Sequence, residues 1–303
     1  MRHFTAKDEF EKEFEKIMDK LTYNRMKWEV WADLIFMMAA SLSNAMDPDR
    51  ARREKREKEY LECVKRCGGA ELPARAFSVV VNALESNPDQ DFLGSLYMRF
   101  ELGSHWHGQF FTPYSLCHLM AEMQMDVLPE KIEENGWVSV CDPCIGGGAM
   151  MIAAASKARV MGVNYQNSIL FVGQDIDRIA GMMAYIQMSL LGMPGYIVIA
   201  DTICHPLTGD VLIPDEKEGQ EFWYTPFFYR DEWSLRRIAR KMDLLTGARV
   251  PRNTQILQKP EPWNGFTFFF NFGEEELNER QSYQQASQGI GESERQIICR
   301  SST

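Results

Sequence analysis

Between residues 138 and 200 the chain alternates short apolar runs with helical ones, and this alternation restricts its fold more than any other feature. Residues 138–141, 169–173 and 196–200 are apolar runs of strand length. Residues 149–160, rich in small side chains, and the Met-rich residues 179–191 lie between them with helical character. Such connections are long enough to carry the chain back over a sheet and start a parallel strand, which a hairpin cannot do. The β-α-β-α-β order therefore predicts an α/β core built on a doubly wound parallel sheet.

The residues before this core read as helical. Phe10, Phe14, Ile17, Met18 and Leu21 form one apolar stripe, and Trp28, Trp31, Ile35 and Met38 form the next. Asp47-Pro48 interrupts the pattern. A charged helix is expected over 49–67, stopped by Gly68-Gly69, with further helices over 73–85 and 91–102. The stripes are expected to be core. After Asp201, residues 221–228 are a candidate fourth strand, 233–245 a helix and 266–272 an aromatic strand. From Glu274 onward Gln, Ser, Glu and Arg dominate, and a disordered tail is expected. The division expected is 1–104 helical, 105–250 core and 251–303 extension.

Charge and cysteine content narrow the function classes. The net charge is −10, so an electropositive footprint for nucleic acid must be local. Two basic runs qualify: Arg50 to Lys58, and Arg230, Arg236, Arg237, Arg240 and Lys241. Each reads either as such a footprint or as a solvated helix face. Seven cysteines without regular spacing, and Met1-Arg-His-Phe in place of a secretory leader, predict a cytoplasmic protein with reduced thiols. No apolar run reaches membrane-spanning length, so no membrane partner is expected. Cys141-Asp-Pro-Cys144 has CxxC spacing but no matching second pair, and no metal is expected.

Three segments carry the chemistry. In Val140-Cys-Asp-Pro-Cys-Ile-Gly-Gly-Gly-Ala149 a strand ends in Asp142, a glycine turn follows and a helix starts. Glycines admit a ligand close to the backbone, and the helix N-terminus offers free N–H donors. The spacing is not the G-x-G-x-x-G of dinucleotide enzymes. In Phe171-Val-Gly-Gln-Asp-Ile-Asp177, Asp175 ends the next strand, where a carboxylate can accept from both ribose hydroxyls or simply cap a helix; Asp177 suits the cap better. Gly108-Gln-Phe-Phe-Thr-Pro113 reads locally as a turn with Thr112 as N-cap and Pro113 at the first helical position.

Taken together, Gly108-Gln-Phe-Phe-Thr-Pro, Asp142-Pro-Cys-x-Gly-x-Gly, Gly173-Gln-Asp and Ala200-Asp-Thr resemble the N6-adenine DNA methyltransferases, in particular the modification subunits of type I restriction systems. The resemblance covers about residues 91–207. It implies a Rossmann-like S-adenosylmethionine-dependent methyltransferase core behind an N-terminal helical region. It implies that Phe111, Thr112 and Pro113 close over the methionine part of S-adenosylmethionine. It also implies that Asp142, Pro143, Gly146 and Gly148 flank methionine and ribose, that Asp175 with Ile176 holds the ribose, and that Asp201 and Thr202 reach the adenine. DNA is the implied substrate, and a separate specificity subunit a candidate partner.

The sequence departs from the family in three places. Gly147 stands where the loop usually has Ser or Thr, and Asp175 where Glu is usual. The catalytic Asn-Pro-Pro-Tyr/Phe string does not occur. In that motif the Asn oxygen and a backbone carbonyl accept from the adenine amine while the aromatic stacks on the flipped base. The nearest segment is Tyr224-Thr225-Pro226-Phe227-Phe228, making Thr225, Pro226 and Phe228 the catalytic candidates. The expected function is adenine-N6 DNA methylation in a restriction-modification or mobile-element setting. The alternative is an S-adenosylmethionine-binding, DNA-associated or regulatory subunit that has lost transfer. A nucleotide-dependent oxidoreductase is a third class, disfavoured by residues 108–113.

Overall fold

A computed structural model describes residues 6–102 and 111–246, all within the first of two compact units, Met1–Phe266. The second unit, Thr267–Thr303, lies outside the described residues, as do the strand expected over 266–272 and the tail expected from Glu274. Gly108, Gln109 and Phe110 also lie outside them.

Five helices open the chain: α1 (Ala6–Leu21), α2 (Lys27–Met46), α3 (Arg50–Arg66), α4 (Glu71–Ser86) and α5 (Phe92–Arg99). Asp49 caps α3, accepting from the Arg52 N–H at 3.0 Å. Gly68 ends it at φ 72. α4 starts two residues before Pro73, because a proline in the first turn lacks only an N–H that has no partner there anyway. The apolar stripes of α1 and α2 are buried as expected, Phe10 only partly, with one correction. Trp28, in the first turn of α2, is 57% exposed. Trp31, Ile35 and Met38 on the same stripe are buried.

Two helices, α6 (Tyr114–Gln124) and α7 (Leu128–Asn135), lead into β1 (Val138–Asp142). Then follow α8 (Ala149–Val160), the short α9 (Tyr165–Ser168), β2 (Ile169–Asp175), α10 (Arg178–Leu190) and β3 (Gly195–Ile199). Two-residue strands β4 (Gly209–Asp210) and β5 (Ile213–Pro214) make a hairpin. β6 (Glu221–Tyr224), a 3-10 turn (Pro226–Tyr229) and α11 (Asp231–Thr246) complete the described chain.

The main sheet has order β1-β2-β3-β6. β1, β2 and β3 are parallel, with Val138 opposite Ile169 and Phe171 opposite Gly195. The sheet departs from the expected doubly wound form in two ways. Both crossovers step in the same direction, so right-handed connections put α8 and α10 on one face. The fourth strand, β6, runs antiparallel to β3.

Alternation sends neighbouring strand residues to opposite faces. Phe171, Ile197 and Trp223 join α8, α10 and the N-terminal helices in one continuous core. Leu170, Val172, Tyr196, Phe222 and Tyr224 face a smaller cluster closed by Phe228 and Trp233. The helical region thus shares the core of the sheet. Among the described residues, no helix is long and apolar enough to cross a membrane.

Each basic run is used internally in part: in the first, Arg52 and Arg56 make internal contacts while Arg50, Arg53, Lys55 and Lys58 are exposed. Arg56 is buried, donates to Asp47 at 2.8 Å and to the Phe222 carbonyl at 2.6 Å, and lies 4.0 Å from the Trp223 ring centroid. Arg52 bridges Asp47 and Glu216. In the second run Arg236 donates to the Asn167 carbonyl, Arg237 to the Phe228 carbonyl, and Arg240 pairs with Asp210. These arginines dock α3 onto β6, and α11 onto α9, the 3-10 turn and β4, while the rest of the first run forms a solvated helix face.

Candidate cofactor-binding site

Because β1, β2 and β3 are parallel, their C-terminal ends lie on one edge of the sheet, where α/β folds bind ligands. Asp142 ends β1, Asp175 ends β2, and Asp201 follows β3 by two residues. The loop from β1 to α8 crosses this edge. Its Gly146 N–H donates to Asp175 Oδ2 at 2.7 Å, and its Ile145 N–H to the Gln174 carbonyl at 3.0 Å. Pro143 accepts through its carbonyl from Thr202 Oγ1 at 2.7 Å. The motifs after all three strands are therefore bonded to one another.

The glycines are used for two purposes. Gly146 has φ 55, and a Cβ there would stand 3.2 Å from the Phe111 ring. Phe111 in turn meets Tyr97, with ring centroids 4.9 Å apart. Gly148, the N-cap of α8, has φ 93, and its Cβ would stand 3.2 Å from Ala184 Cα on α10. Close backbone approach thus fixes how α8 enters beside α10. Pro113, and not Thr112, is the N-cap residue of α6; its carbonyl accepts from the Leu116 and Cys117 N–H groups, so Pro113 precedes the helix and does not open it.

The electrostatics of this edge are distinctive. Asp142 is buried, and burial together with the nearby Asp175 charge pushes its pKa up to about 6, against the pull of the Cys144 N–H. Burial also raises Asp175, partly offset by the N–H groups of Asp177 and Gly146. Among the described residues no ion pair reaches either carboxylate. Two desolvated acids beside a glycine loop fit a ligand that carries positive charge. Asp201 differs: its Oδ1 accepts from the Ile203 and Cys204 N–H groups, which lower its pKa. Ile176 stands exposed beside Asp175.

A family model for N-6 DNA methylases matches residues 90–255. The chain belongs to the N-6 DNA methylase family. The cofactor of this family's chemistry, S-adenosylmethionine, carries an ammonium and a sulfonium, which is the charge the two acids call for. Among solved structures, the chain is similar to the methyltransferase subunit of the type I restriction-modification system from Streptococcus thermophilus. That match has 13% identity and a TM-score of 0.38, over 68% of this chain and 61% of the other. The chain thus spans less than two thirds of that subunit's length. It is also similar to a Listeria monocytogenes protein assigned to the class I S-adenosylmethionine-dependent methyltransferases, at 15% identity and TM-score 0.43, over 75% and 77% of the two chains. No curated protein matches.

The structure brings Phe111, Asp142, Pro143, Gly146, Gly148, Asp175, Asp201 and Thr202 to one edge, but not the catalytic candidates. β6 is antiparallel, so Thr225 meets Gly195 at the start of β3, the end opposite the carboxylates. Four residue steps of strand separate Gly195 from Ile199, roughly 13 Å. Thr225 is fully buried; its hydroxyl donates toward the Met193 carbonyl at 2.8 Å and accepts from the Gly195 N–H at 3.0 Å. Phe228 is buried, stacked on Tyr224 at 4.8 Å and covered by the Arg237 guanidinium at 4.0 Å. Pro226 opens the 3-10 turn. This segment closes the small core.

Sequence reasoning gave no role to Gln174, Asp91 or Gln187. Gln174 is buried, donates to the His205 carbonyl at 2.8 Å and accepts from the Leu207 N–H at 3.2 Å, holding the turn that carries Asp201. A polar residue inside an apolar strand or helix was the available signal.

Proposed function

We propose that this chain binds S-adenosylmethionine at the C-terminal edge of β1, β2 and β3 and serves adenine-N6 methylation of DNA. The observation that carries the reading is the pairing of two acids, the buried Asp142 and the half-buried Asp175, with a glycine loop roofed by Phe111. Asp142 would attract the methionine ammonium, and Asp175 would accept from ribose hydroxyls by exchanging its bond to the Gly146 N–H. Asp201 and Thr202 would face the adenine, with Ile176 against the nucleoside. Phe111, Thr112 and Pro113 would cover the methionine part. When bound, the cofactor supplies an electrophilic methyl group. Residues 1–104 would form a helical region that supports this core, 105–250 the core itself and 251–303 an extension.

DNA is the substrate class that family membership supports. A separate specificity subunit fits the net charge of −10 and the internal use of so many arginines. The cytoplasm is the compartment that the six free cysteines among the described residues suit. A second reading, cofactor binding without transfer by this chain, is favoured by one observation: Thr225 and Phe228 are buried at the opposite end of β3. Incubating the protein with methyl-labelled cofactor and unmethylated DNA separates the two. Label in N6-methyladenine supports the first reading; cofactor binding without label in DNA supports the second.

A further inference from the structure

Gln187 lies in the last turn of α10, among Met and Ala residues, and is 0% exposed. A buried amide is tolerated only when its donors and acceptor are matched. Here all are. Nε2 donates to the Gly147 carbonyl at 2.8 Å and to Asp91 Oδ1 at 2.8 Å, while Oε1 accepts from the Leu93 N–H at 3.1 Å. Asp91 is the buried N-cap of α5 and also accepts from the Gly94 N–H at 2.9 Å. One side chain therefore ties α5 and α10 to the glycine loop.

The bonded atom is what gives this junction a role beyond packing. The Gly147 carbonyl shares a rigid peptide plane with the Gly148 N–H. That N–H donates to the Ile145 carbonyl at 2.9 Å. A plane between two glycines meets little steric resistance to turning over. Gln187 holds this one from its carbonyl side, and the plane sits between Gly146, which bonds Asp175, and Gly148, which opens α8. We propose that Gln187, oriented by Asp91, is a positioning residue that holds the glycine loop in the conformation that receives the cofactor. The inference rests on the cofactor reading above.

The experiment measures S-adenosylhomocysteine affinity by calorimetry, and Tm, in wild type, Asp91→Asn, Gln187→Glu and the double variant. In Gln187→Glu the carboxylate cannot donate to the Gly147 carbonyl and faces Asp91. In the double variant the amide introduced at position 91 donates to the carboxylate introduced at position 187, so the pair is restored while the Gly147 carbonyl stays unheld. Gln187→Glu should bind roughly five- to tenfold more weakly, the worth of about one hydrogen bond. The double variant should regain Tm and still bind weakly. Asp91→Asn leaves the amide bond to Gly147 in place and should bind within about twofold of wild type. Should Gln187→Glu fail to fold, the double variant carries the test. Affinity that returns in step with Tm overturns the positioning role. Wild-type protein that binds no cofactor overturns the cofactor reading and this inference with it.

Discussion

Asp142 is the residue whose chemistry most exposes the site to test. Its pKa, pushed up to about 6 by burial, exceeds the ordinary 3.8 of an unfolded chain. Between these values the folded protein holds more protons than the unfolded one. The resulting stability is full below about pH 3.8 and is lost as pH rises through 6, a cost of roughly 3 kcal/mol at neutral pH. Asp142→Asn should therefore raise Tm at pH 7.5, with little change at pH 4, by thermal melts at both values. Cofactor affinity should run the other way. The charged form attracts the ammonium, so wild-type affinity should fall about tenfold per pH unit below 6, while Asp142→Asn should be weak and flat with pH. A wild-type affinity independent of pH between 5 and 7.5 would remove Asp142 from the cation's contacts. Gly148→Ala belongs to the same scale. Its φ of 93 and the 3.2 Å approach to Ala184 Cα leave no room for a methyl group. A loss of about 1–3 kcal/mol is expected in urea unfolding.

At the scale of elements, what was legible in the sequence followed from local signals. The three parallel strands, α8 and α10 were marked by apolar runs and by acids and glycines at their ends, and Asp142, Asp175 and Asp201 lie at the strand ends where they were expected. The direction of β6 was not marked. An aromatic run such as Glu221–Tyr224 pairs equally well in either sense, and only the chain's return past the β4–β5 hairpin decides it. That one choice moves Thr225 from the ligand edge to the opposite end of β3. Gln187 was marked only as a polar residue on an apolar helix, and that signal does not name the partners it bonds. Trp28 was misread because helical periodicity does not say where a neighbouring element stops. Phe228→Ala follows from β6 as observed: it should cost about 3–5 kcal/mol of stability and leave the cofactor dissociation constant unchanged. A large affinity loss without a stability loss, read by calorimetry and urea unfolding, would return this segment to the ligand site.

At the scale of the whole molecule, the helical region and the sheet stand or fall together. Phe36 meets Trp223 edge-on at 6.3 Å, Arg178 pairs with Glu59 of α3, and one apolar cluster runs from α1 to β6. Removing residues 1–90 would expose that cluster and strip α10 of its cover, so the truncated chain should be insoluble or lose fixed tertiary structure by near-ultraviolet circular dichroism. The central claim concerns the edge that this assembly supports, and isothermal calorimetry with S-adenosylmethionine tests it most directly. A single saturable site is predicted for wild type, weakened by roughly 1.5–3 kcal/mol in Asp175→Ala, as for hydrogen bonds to a charged group. No heat of binding at cofactor concentrations of order 1 mM, a Kd limit near −4 kcal/mol, would contradict it, as would equal binding by wild type and Asp175→Ala.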